Sequence, residues 1–303
     1  MTFQPKVPNL FVIGAPKAGT TSLFQWLGDH PEIGKSTENE LRYLMDRHDP
    51  LCRPDGFHAT GLDGYARFYR DSLTDGDRKY LIDVSPQYYY QDTALAQISA
   101  IPDSQVIMML RKPSARIYSL YNYSKNNKVA LDADMGFSDF VNEIRLGDDS
   151  DILRDRPMLR FAIKHSAYAP YIRNWQSAIG SDRLGVYLFE DLVRNPQRVL
   201  RRIADQLGVA PEFYDSYTFP AQNTSYSLRH RGLHKVLHKS RKKMPRWIRR
   251  TLKPAYLYLN TRRLERSLSE EDRRTLERLD AEFVETEQEL ARILGRDDAI
   301  WSR

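Results

Sequence analysis

A lysine and a run of hydroxyl residues follow the first apolar stretch of the chain, in a pattern suited to holding a phosphate. Gly14 and Gly19 enclose a short loop that contains Lys17. The three residues after this loop all carry hydroxyl groups: Thr20, Thr21 and Ser22. A phosphate in this loop would meet a cation, hydroxyl donors and the free N–H groups of a helix start, where the helix dipole favours an anion.

The elements on either side of the loop are those that such a site requires. The apolar run 10–13 predicts a buried parallel strand. From Thr20 onward the apolar residues recur every three to four positions, which predicts an amphipathic helix. These apolar residues are Leu23, Phe24, Trp26 and Leu27. A strand, a glycine-bounded loop and a helix N-terminus therefore follow one another directly.

The loop departs from the usual mononucleotide pattern G-x-x-x-x-G-K-[ST]. The two glycines are in frame, but Thr20 stands at the lysine position and the lysine is Lys17, inside the loop. This displacement argues against an ordinary NTPase, whose lysine reaches the β- and γ-phosphates from the start of the helix. It favours a nucleotide with a short 5′ chain, although a glycine-rich turn with no ligand remains the alternative on this stretch alone.

A second pattern follows another apolar run, at 106–110. Arg111-Lys112-Pro113-Ser114-Ala115-Arg116-Ile117-Tyr118-Ser119 presents an arginine at a strand end and a serine eight residues later. A guanidinium offers phosphate a bidentate fork and a hydroxyl adds one more donor. Pro113 suits the first turn of the helix that carries Ser119.

Together the two patterns resemble sulfotransferases that use 3′-phosphoadenosine-5′-phosphosulfate (PAPS). Pro16-Lys17-Ala18-Gly19-Thr20-Thr21-Ser22-Leu23 is similar to their 5′-phosphosulfate loop, and R-x-P-x-x-R-x-x-S is their 3′-phosphate motif. The resemblance implies that Arg111 and Ser119 bind the 3′-phosphate and that Lys17 follows the bridging oxygen. It assigns the 5′-phosphosulfate to the loop residues Lys17, Ala18, Gly19, Thr20, Thr21 and Ser22. It implies no metal.

The same resemblance points to a general base after the first helix. His30-Pro31 and the segment from Glu38 to Leu44 are similar to a block of carbohydrate sulfotransferases in which a glutamate is the base, and that glutamate maps to Glu40. Arg42 stands where heparan 3-O-sulfotransferases carry histidine, and we expect it to contact the acceptor. Glu38 is the rival base, and a carboxylate with only a surface role is the alternative for Glu40.

A third strand end supplies further candidates. Asp83-Val84-Ser85-Pro86 resembles the family's E-K-T-P strand end, but Val84 replaces the lysine of the heparan enzymes, which weakens a close heparan assignment. Asp83 and Ser85 are expected to line the acceptor cleft, with a strand cap as the alternative. The tyrosines at 88–90 would either stack on sugar rings or pack against the sheet.

The positive charge of the chain is concentrated in one segment. Residues 216–264 contain 13 Lys or Arg and no Asp or Glu, which leaves 33 basic and 40 acidic residues elsewhere in a chain of net charge +6. Within the segment, Arg229 and Arg231 occupy the place of the family's nucleotide-closing loop and are expected to contact the cofactor. A solvated basic face, anion binding, and peripheral contact with an anionic membrane all remain open.

Length and composition set the wider expectations. The 303 residues allow one α/β domain over 1–303, with a P-loop-like parallel sheet flanked by helices on both faces. The single Cys52 fits a reducing compartment, and we expect a cytoplasmic protein with neither a membrane span nor a leader. The seven histidines show no metal-binding spacing, and the chain shows no nucleic-acid module.

We therefore predict a PAPS-dependent sulfotransferase acting on the hydroxyl of a carbohydrate or glycolipid. A sulfotransferase for a small-molecule alcohol or a protein tyrosine is the first alternative. A P-loop kinase is the second, with Asp83 at the end of a Walker-B-like strand holding Mg²⁺. The position sulfated, O- versus N-sulfation and the oligomeric state stay open.

Overall fold

The computed structural model describes residues 7–74, 78–128, 130–220, 226–228, 261–263, 268–297 and 299–301. The strands are β1 (Leu10–Gly14), β2 (Ile33–Lys35), β3 (Tyr80–Val84), β4 (Gln105–Leu110), β5 (Leu184–Leu188), β6 (Tyr226–Leu228) and β7 (Thr261–Arg263). The helices are α1 (Thr20–Gly28), α2 (Phe57–Thr60), α3 (Arg70–Thr74), α4 (Asp92–Ser99), α5 (Pro113–Asn122), α6 (Phe137–Leu146), α7 (Pro157–Arg160), α8 (Tyr168–Ile179), α9 (Phe189–Arg194), α10 (Pro196–Leu207) and α11 (Glu270–Ile293).

The first five strands form one parallel sheet in the order β2-β3-β1-β4-β5. The connection from β1 runs toward one edge through α1, whereas the connections from β3 and β4 run toward the other edge through α4 and α8. Because parallel crossovers are right-handed, α1 lies on the face opposite α4 and α8. The predicted fold class, a parallel sheet with helices on both faces, is confirmed.

Burial on both faces explains why the strands read as continuous apolar runs. Every residue of β1 and of β3 is buried, as are five of the six residues of β4. A second apolar cluster joins α5, α6 and α11 away from the sheet, through side chains such as Ile117, Phe140 and Leu279. Helix α11 is thereby packed against the helix that starts at the end of β4.

Helix boundaries follow the capping residues in the sequence. The Asn195 side chain accepts a hydrogen bond from the Arg198 N–H at 2.9 Å and starts α10, which ends at Gly208 in the left-handed conformation. Ser269 caps α11 by accepting from the Asp272 N–H at 3.0 Å. The region between β2 and β3 contains short helical elements: α2, a 3-10 segment at Leu62–Phe68, and α3.

Within the described residues, no helix combines the length and the apolar character needed to cross a membrane. Outside the parallel sheet, β6 and β7 pair antiparallel. Most of the basic segment 216–264, including Arg229 and Arg231, lies outside the described residues.

Candidate active site

The two phosphate-binding patterns lie at the carboxyl ends of adjacent strands. β1 pairs with β4 in parallel, and the Ala15 N–H donates to the Met109 carbonyl at 2.6 Å just beyond the pairing. The chain leaves β1 toward one edge of the sheet and leaves β4 toward the other. This is a topological switch point, where α/β sheets bind ligands in the crevice outside the strand ends.

The loop after β1 has the backbone of a tight turn. Lys17 has φ +73° and Gly19 has φ +82°, both in the left-handed region. A Cβ at Gly19 would lie 2.9 Å from the Phe189 ring, so both conformation and space call for glycine there. Helix α1 begins at Thr20 without a side-chain cap, and its Ser22 N–H donates to the Gly19 carbonyl at 3.0 Å. The positive end of the helix dipole therefore points to the loop without a capping side chain in front of it.

The hydroxyl residues of the loop differ in exposure. Thr20 is buried, whereas Thr21 and Ser22 are half-buried. The Ala18 N–H donates to the Ala15 carbonyl at 3.1 Å, so it closes the turn instead of facing a ligand. The place of Ala18 among the residues of the 5′-phosphosulfate loop stays a prediction.

The Lys17 ammonium lies among other positive charges. Burial, and then the positive charge of Arg111, lower the pKa of Lys17 from 10.5 to about 8. The Glu40 carboxylate acts in the opposite direction, and Lys128 lowers the pKa by a smaller amount. The Lys17 Nζ atom lies 4.0 Å from the centre of the Tyr123 ring. Burial and neighbouring positive charges disfavour the charged form of Lys17, and a bound anion would stabilise that form.

Arg111 links the two patterns. Its Nη1 donates to the Lys17 carbonyl at 3.0 Å, and its guanidinium lies 4.6 Å from the centre of the Phe189 ring. The Tyr168 hydroxyl donates to the Arg111 carbonyl at 2.9 Å. The side chain and the main chain of Arg111 are thus both held at the end of β4, beside the loop that carries Lys17.

The helix after Arg111 divides its residues between site and core. Ser119 is half-buried on α5. Arg116 is buried and donates to the Ala162 carbonyl at 2.7 Å and to Ser166 Oγ at 2.6 Å, so it anchors α5. A π-helical turn over Tyr123–Asn127 continues α5 and carries the ring that faces Lys17.

Glu40 and Arg42 lie in a loop. Both adopt left-handed backbone angles, φ +58° and +52°, and their side chains form an ion pair. The buried Leu41 between them fixes this short segment in the core. The Glu40 charge acts on Lys17, where it raises the lysine pKa, so the predicted base and the predicted cation share one electrostatic environment.

Asp83 and Ser85 lie beneath that loop and do not line a cleft, because both side chains are fully buried. Asp83 accepts hydrogen bonds from Ser85 Oγ at 2.7 Å, from the Tyr65 hydroxyl at 2.9 Å and from the Tyr88 hydroxyl at 3.0 Å. Ser85 Oγ in turn accepts from the Arg42 N–H at 2.9 Å. The expectation of direct acceptor contact is wrong for this pair, whose role is to hold the Arg42 loop.

The same burial bears on Asp83 as a metal ligand. Burial raises the pKa of Asp83 to about 6, although the hydrogen bonds from Ser85, Tyr65 and Tyr88 act in the opposite direction. Its two oxygens already accept three hydroxyl donors. A Walker-B role for Asp83 is therefore disfavoured by the donors that surround it.

The three tyrosines at 88–90 differ in how deeply they are buried. Tyr88 and Tyr89 are buried, and the Tyr89 hydroxyl donates to the His165 carbonyl at 2.7 Å. Tyr90 is half-buried and stacks on the His165 ring at 3.9 Å. The packing alternative therefore holds for Tyr88 and Tyr89.

Several contacts of this site carry no recognisable signal in the sequence. Tyr123 reaches Lys17 only because the end of α5 widens into a π-turn. Phe189 supports both Gly19 and Arg111 from α9. Glu190 accepts hydrogen bonds from the turn after Arg111 and from the Trp301 indole. These contacts join parts of the chain that are far apart in the sequence, so they depend on the fold.

Comparison with known proteins agrees with this site. The model of the sulfotransferase family matches residues 8–213, which include both phosphate-binding patterns and the Glu40 loop. The chain therefore belongs to the sulfotransferase family.

Two curated relatives are sulfotransferases as well. The chain is 26% identical over 213 residues to the human bifunctional heparan sulfate N-deacetylase/N-sulfotransferase 1, covering 67% of this chain and 22% of that protein. It is 28% identical over 127 residues to the membrane-associated sulfotransferase kil1 of Dictyostelium discoideum, covering 40% of this chain and 25% of that protein. The chain thus spans about a quarter of the length of these relatives.

The fold is shared along almost the whole chain with a sulfotransferase from Alicyclobacillus acidocaldarius. The TM-score is 0.66 at 20% identity, with coverage of 98% of this chain and 99% of that one. At this identity the likeness concerns the fold, and it agrees with the sheet order and the helices described above.

Proposed function

We propose that this protein transfers a sulfuryl group from PAPS to an acceptor hydroxyl, with a carbohydrate or glycolipid as the favoured acceptor. The observation that carries the proposal is the hydrogen bond from Arg111 to the Lys17 carbonyl, 3.0 Å long. It joins a loop shaped for a 5′-phosphosulfate to an arginine placed for a 3′-phosphate. A nucleotide with anionic groups on both sides of one ribose is the ligand that uses both.

The residues present fit such a donor. Lys17, the helix start at Thr20 and the half-buried Thr21 and Ser22 would hold the 5′-phosphosulfate, and Arg111 with Ser119 would hold the 3′-phosphate. The donor supplies an electrophilic sulfur and a phosphate leaving group. Lys17 supplies fixed positive charge where negative charge develops, which is the larger part of catalysis in such sites. Arg229 and Arg231 stay predictions.

Glu40 is proposed as the general base that accepts the proton of the acceptor. A base must lie within reach of the reacting group and on the acceptor side of the donor. The electrostatic effect of Glu40 on Lys17 supports its place at the reacting end of the nucleotide. The ion pair with Arg42 holds the Glu40 carboxylate in its loop.

The acceptor class rests on the relatives. The heparan sulfate N-sulfotransferases are named for transfer to nitrogen on a carbohydrate. For this chain we propose a carbohydrate or glycolipid hydroxyl. An acceptor panel with radiolabelled PAPS tests the proposal: oligosaccharides, their de-N-sulfated amines, a glycolipid, a phenol and a tyrosine peptide. Labelling of the amine alone would replace O- by N-transfer, and labelling of the phenol or peptide alone would replace the carbohydrate.

The first experiment is calorimetric titration with 3′-phosphoadenosine-5′-phosphate (PAP) without metal, beside ADP and ATP with Mg²⁺. We expect binding of PAP that is strongly weakened in Arg111→Ala, since a phosphate hydrogen bond to a charged partner is lost. A preference for ATP with Mg²⁺ would overturn the sulfotransferase proposal in favour of the kinase. A cytoplasmic location and peripheral membrane contact through the basic segment remain predictions.

A further inference from the structure

The turn that carries Arg111 is held from outside the sheet by the Glu190 carboxylate. Glu190 Oε1 accepts a hydrogen bond from the Lys112 N–H at 3.1 Å, and Glu190 Oε2 accepts from Trp301 Nε1 at 2.9 Å. Lys112 precedes the first residue of α5, so the carboxylate lies at the N-terminus of that helix, where negative charge is favourable. One side chain thus connects the residue after Arg111 to the far end of the chain.

Trp301 reaches the same turn by a second route. It is buried, and its ring centre lies 6.2 Å from that of Tyr168, whose hydroxyl donates to the Arg111 carbonyl at 2.9 Å. The main-chain N–H of Trp301 donates to Glu287 Oε1 at 2.7 Å, and this bond fixes Trp301 to α11. The indole therefore supports Arg111 through Glu190 on one side and through Tyr168 on the other.

Helix α11 also holds the turn directly. Asp280 accepts from Lys112 Nζ at 2.7 Å, and it also accepts from the Ser114 hydroxyl. Contacts from one helix and from the residues after it therefore surround the turn. Helix α11 and Trp301 both lie beyond residues 8–213, the part of the chain that the family model matches.

We infer that Glu190 and Trp301 are positioning residues that set the chain's selectivity for a 3′-phosphorylated nucleotide, an inference that rests on the proposed function. A guanidinium binds phosphate through a fixed fork, so its strength as a phosphate ligand depends on the direction in which the backbone presents it. Glu190 and Trp301 fix that direction before the nucleotide arrives. Glu190 accepts a hydrogen bond from the main chain beside Arg111, and Trp301 donates to Glu190, so both residues act through Arg111.

The test compares PAP with adenosine 5′-phosphate, which lacks the 3′-phosphate, by calorimetry on the full chain. Trp301→Phe removes the indole donor and keeps an aromatic ring. Glu190→Gln leaves a single carbonyl oxygen for two donors. Both variants should weaken PAP binding by about tenfold, the scale of a lost hydrogen bond to a charged group. Both should leave adenosine 5′-phosphate binding within about twofold, since that nucleotide does not use the Arg111 fork.

Trp175→Phe is the matched control, because Trp175 is also buried and donates one indole hydrogen bond, to the Tyr89 carbonyl at 3.1 Å. It should lower the melting temperature without changing the ratio of the two dissociation constants. An unchanged ratio in both Trp301→Phe and Glu190→Gln would overturn the inference, as would an equal loss of affinity for both nucleotides. Absence of a PAP preference in the unaltered protein would overturn the proposed function and the inference together.

Discussion

Arg111 donates through Nη1 to the main-chain oxygen of Lys17, so two residues far apart in the sequence are joined across neighbouring strand ends. The contact leaves the guanidinium above the Phe189 ring and next to the loop that carries the Lys17 ammonium. The contact joins the two elements that we propose as phosphate sites.

Arg111→Lys should keep the charge at the end of β4 but lose the fork and the bond to Lys17. We expect PAP affinity to fall by about 10- to 100-fold, in line with the loss of charge-assisted hydrogen bonds. Adenosine 5′-phosphate serves as the internal control and should bind nearly as before. Retention of full PAP affinity would show that charge alone is recognised.

PAP affinity should decline as the pH rises through about 8, the value to which burial and the neighbouring cations lower the pKa of Lys17. Above that pH the side chain loses the charge that attracts the nucleotide, whereas an exposed lysine stays charged until far higher pH. Calorimetric titrations with PAP between about pH 6.5 and pH 9.5 measure this decline in affinity. The Lys17→Met variant should bind PAP weakly at every pH and show no such decline. A decline that persists in the variant would assign the titration to another group.

The Tyr123 ring should contribute to turnover by holding the Lys17 ammonium. Tyr123→Leu removes the aromatic face and should reduce kcat by about 3- to 30-fold, the range of cation–π attraction in partly buried sites. Tyr123→Phe keeps the face and is the matched variant, with kcat near that of the unaltered protein. Equal losses in the two variants would point to the hydroxyl.

Glu40→Gln should lower kcat by ~10²–10⁴ while PAP binding is retained, because a general base is lost without a change in the phosphate sites. Glu38→Gln is the matched control in the same segment. Glu38 pairs with Arg53 at 3.3 Å and its side chain is 47% exposed, so this variant should turn over almost normally. The reverse pattern would move the base to Glu38.

Asp83 should make the protein less stable as the pH rises from about 4 to about 6. Burial raises its folded-state pKa from 3.8 to about 6, so in this window the folded protein holds a proton that the unfolded chain has lost. The folded state then binds more protons, and the free energy of unfolding falls with increasing pH. Asp83→Asn should remove this contribution, seen as a flatter pH dependence in urea titrations; an unchanged slope would contradict the assignment.

Local patterns in the chain predicted most of the frame around the site. The apolar runs before Gly14 and Arg111 predict the two central strands, because burial on both faces leaves an uninterrupted signature. Asn195 and Ser269 predict helix starts, because capping is a contact over three residues. These signals need no knowledge of what packs against them.

Long-range contacts set the rest, and no short window contains them. Asp83 reads as an exposed strand-end carboxylate until Tyr65 and Tyr88 are placed over it. Glu40 takes a left-handed backbone conformation that its residue type does not favour, because Leu41 is drawn into the core. The contact of Trp301 with Glu190 spans 111 positions of the sequence.

The parallel pairing of β1 with β4 fixes the distance between the carboxyl ends of these two strands. Neighbouring strands lie about 4.8 Å apart, and each of these two strands ends in one of the elements that we propose for phosphate binding. Under the proposed function, backbone hydrogen bonding therefore sets the spacing of the two strand ends from which the anionic groups are held. Side-chain substitutions can change the affinity for either anionic group. A nucleotide whose anionic groups are spaced differently would require a different pair of strands.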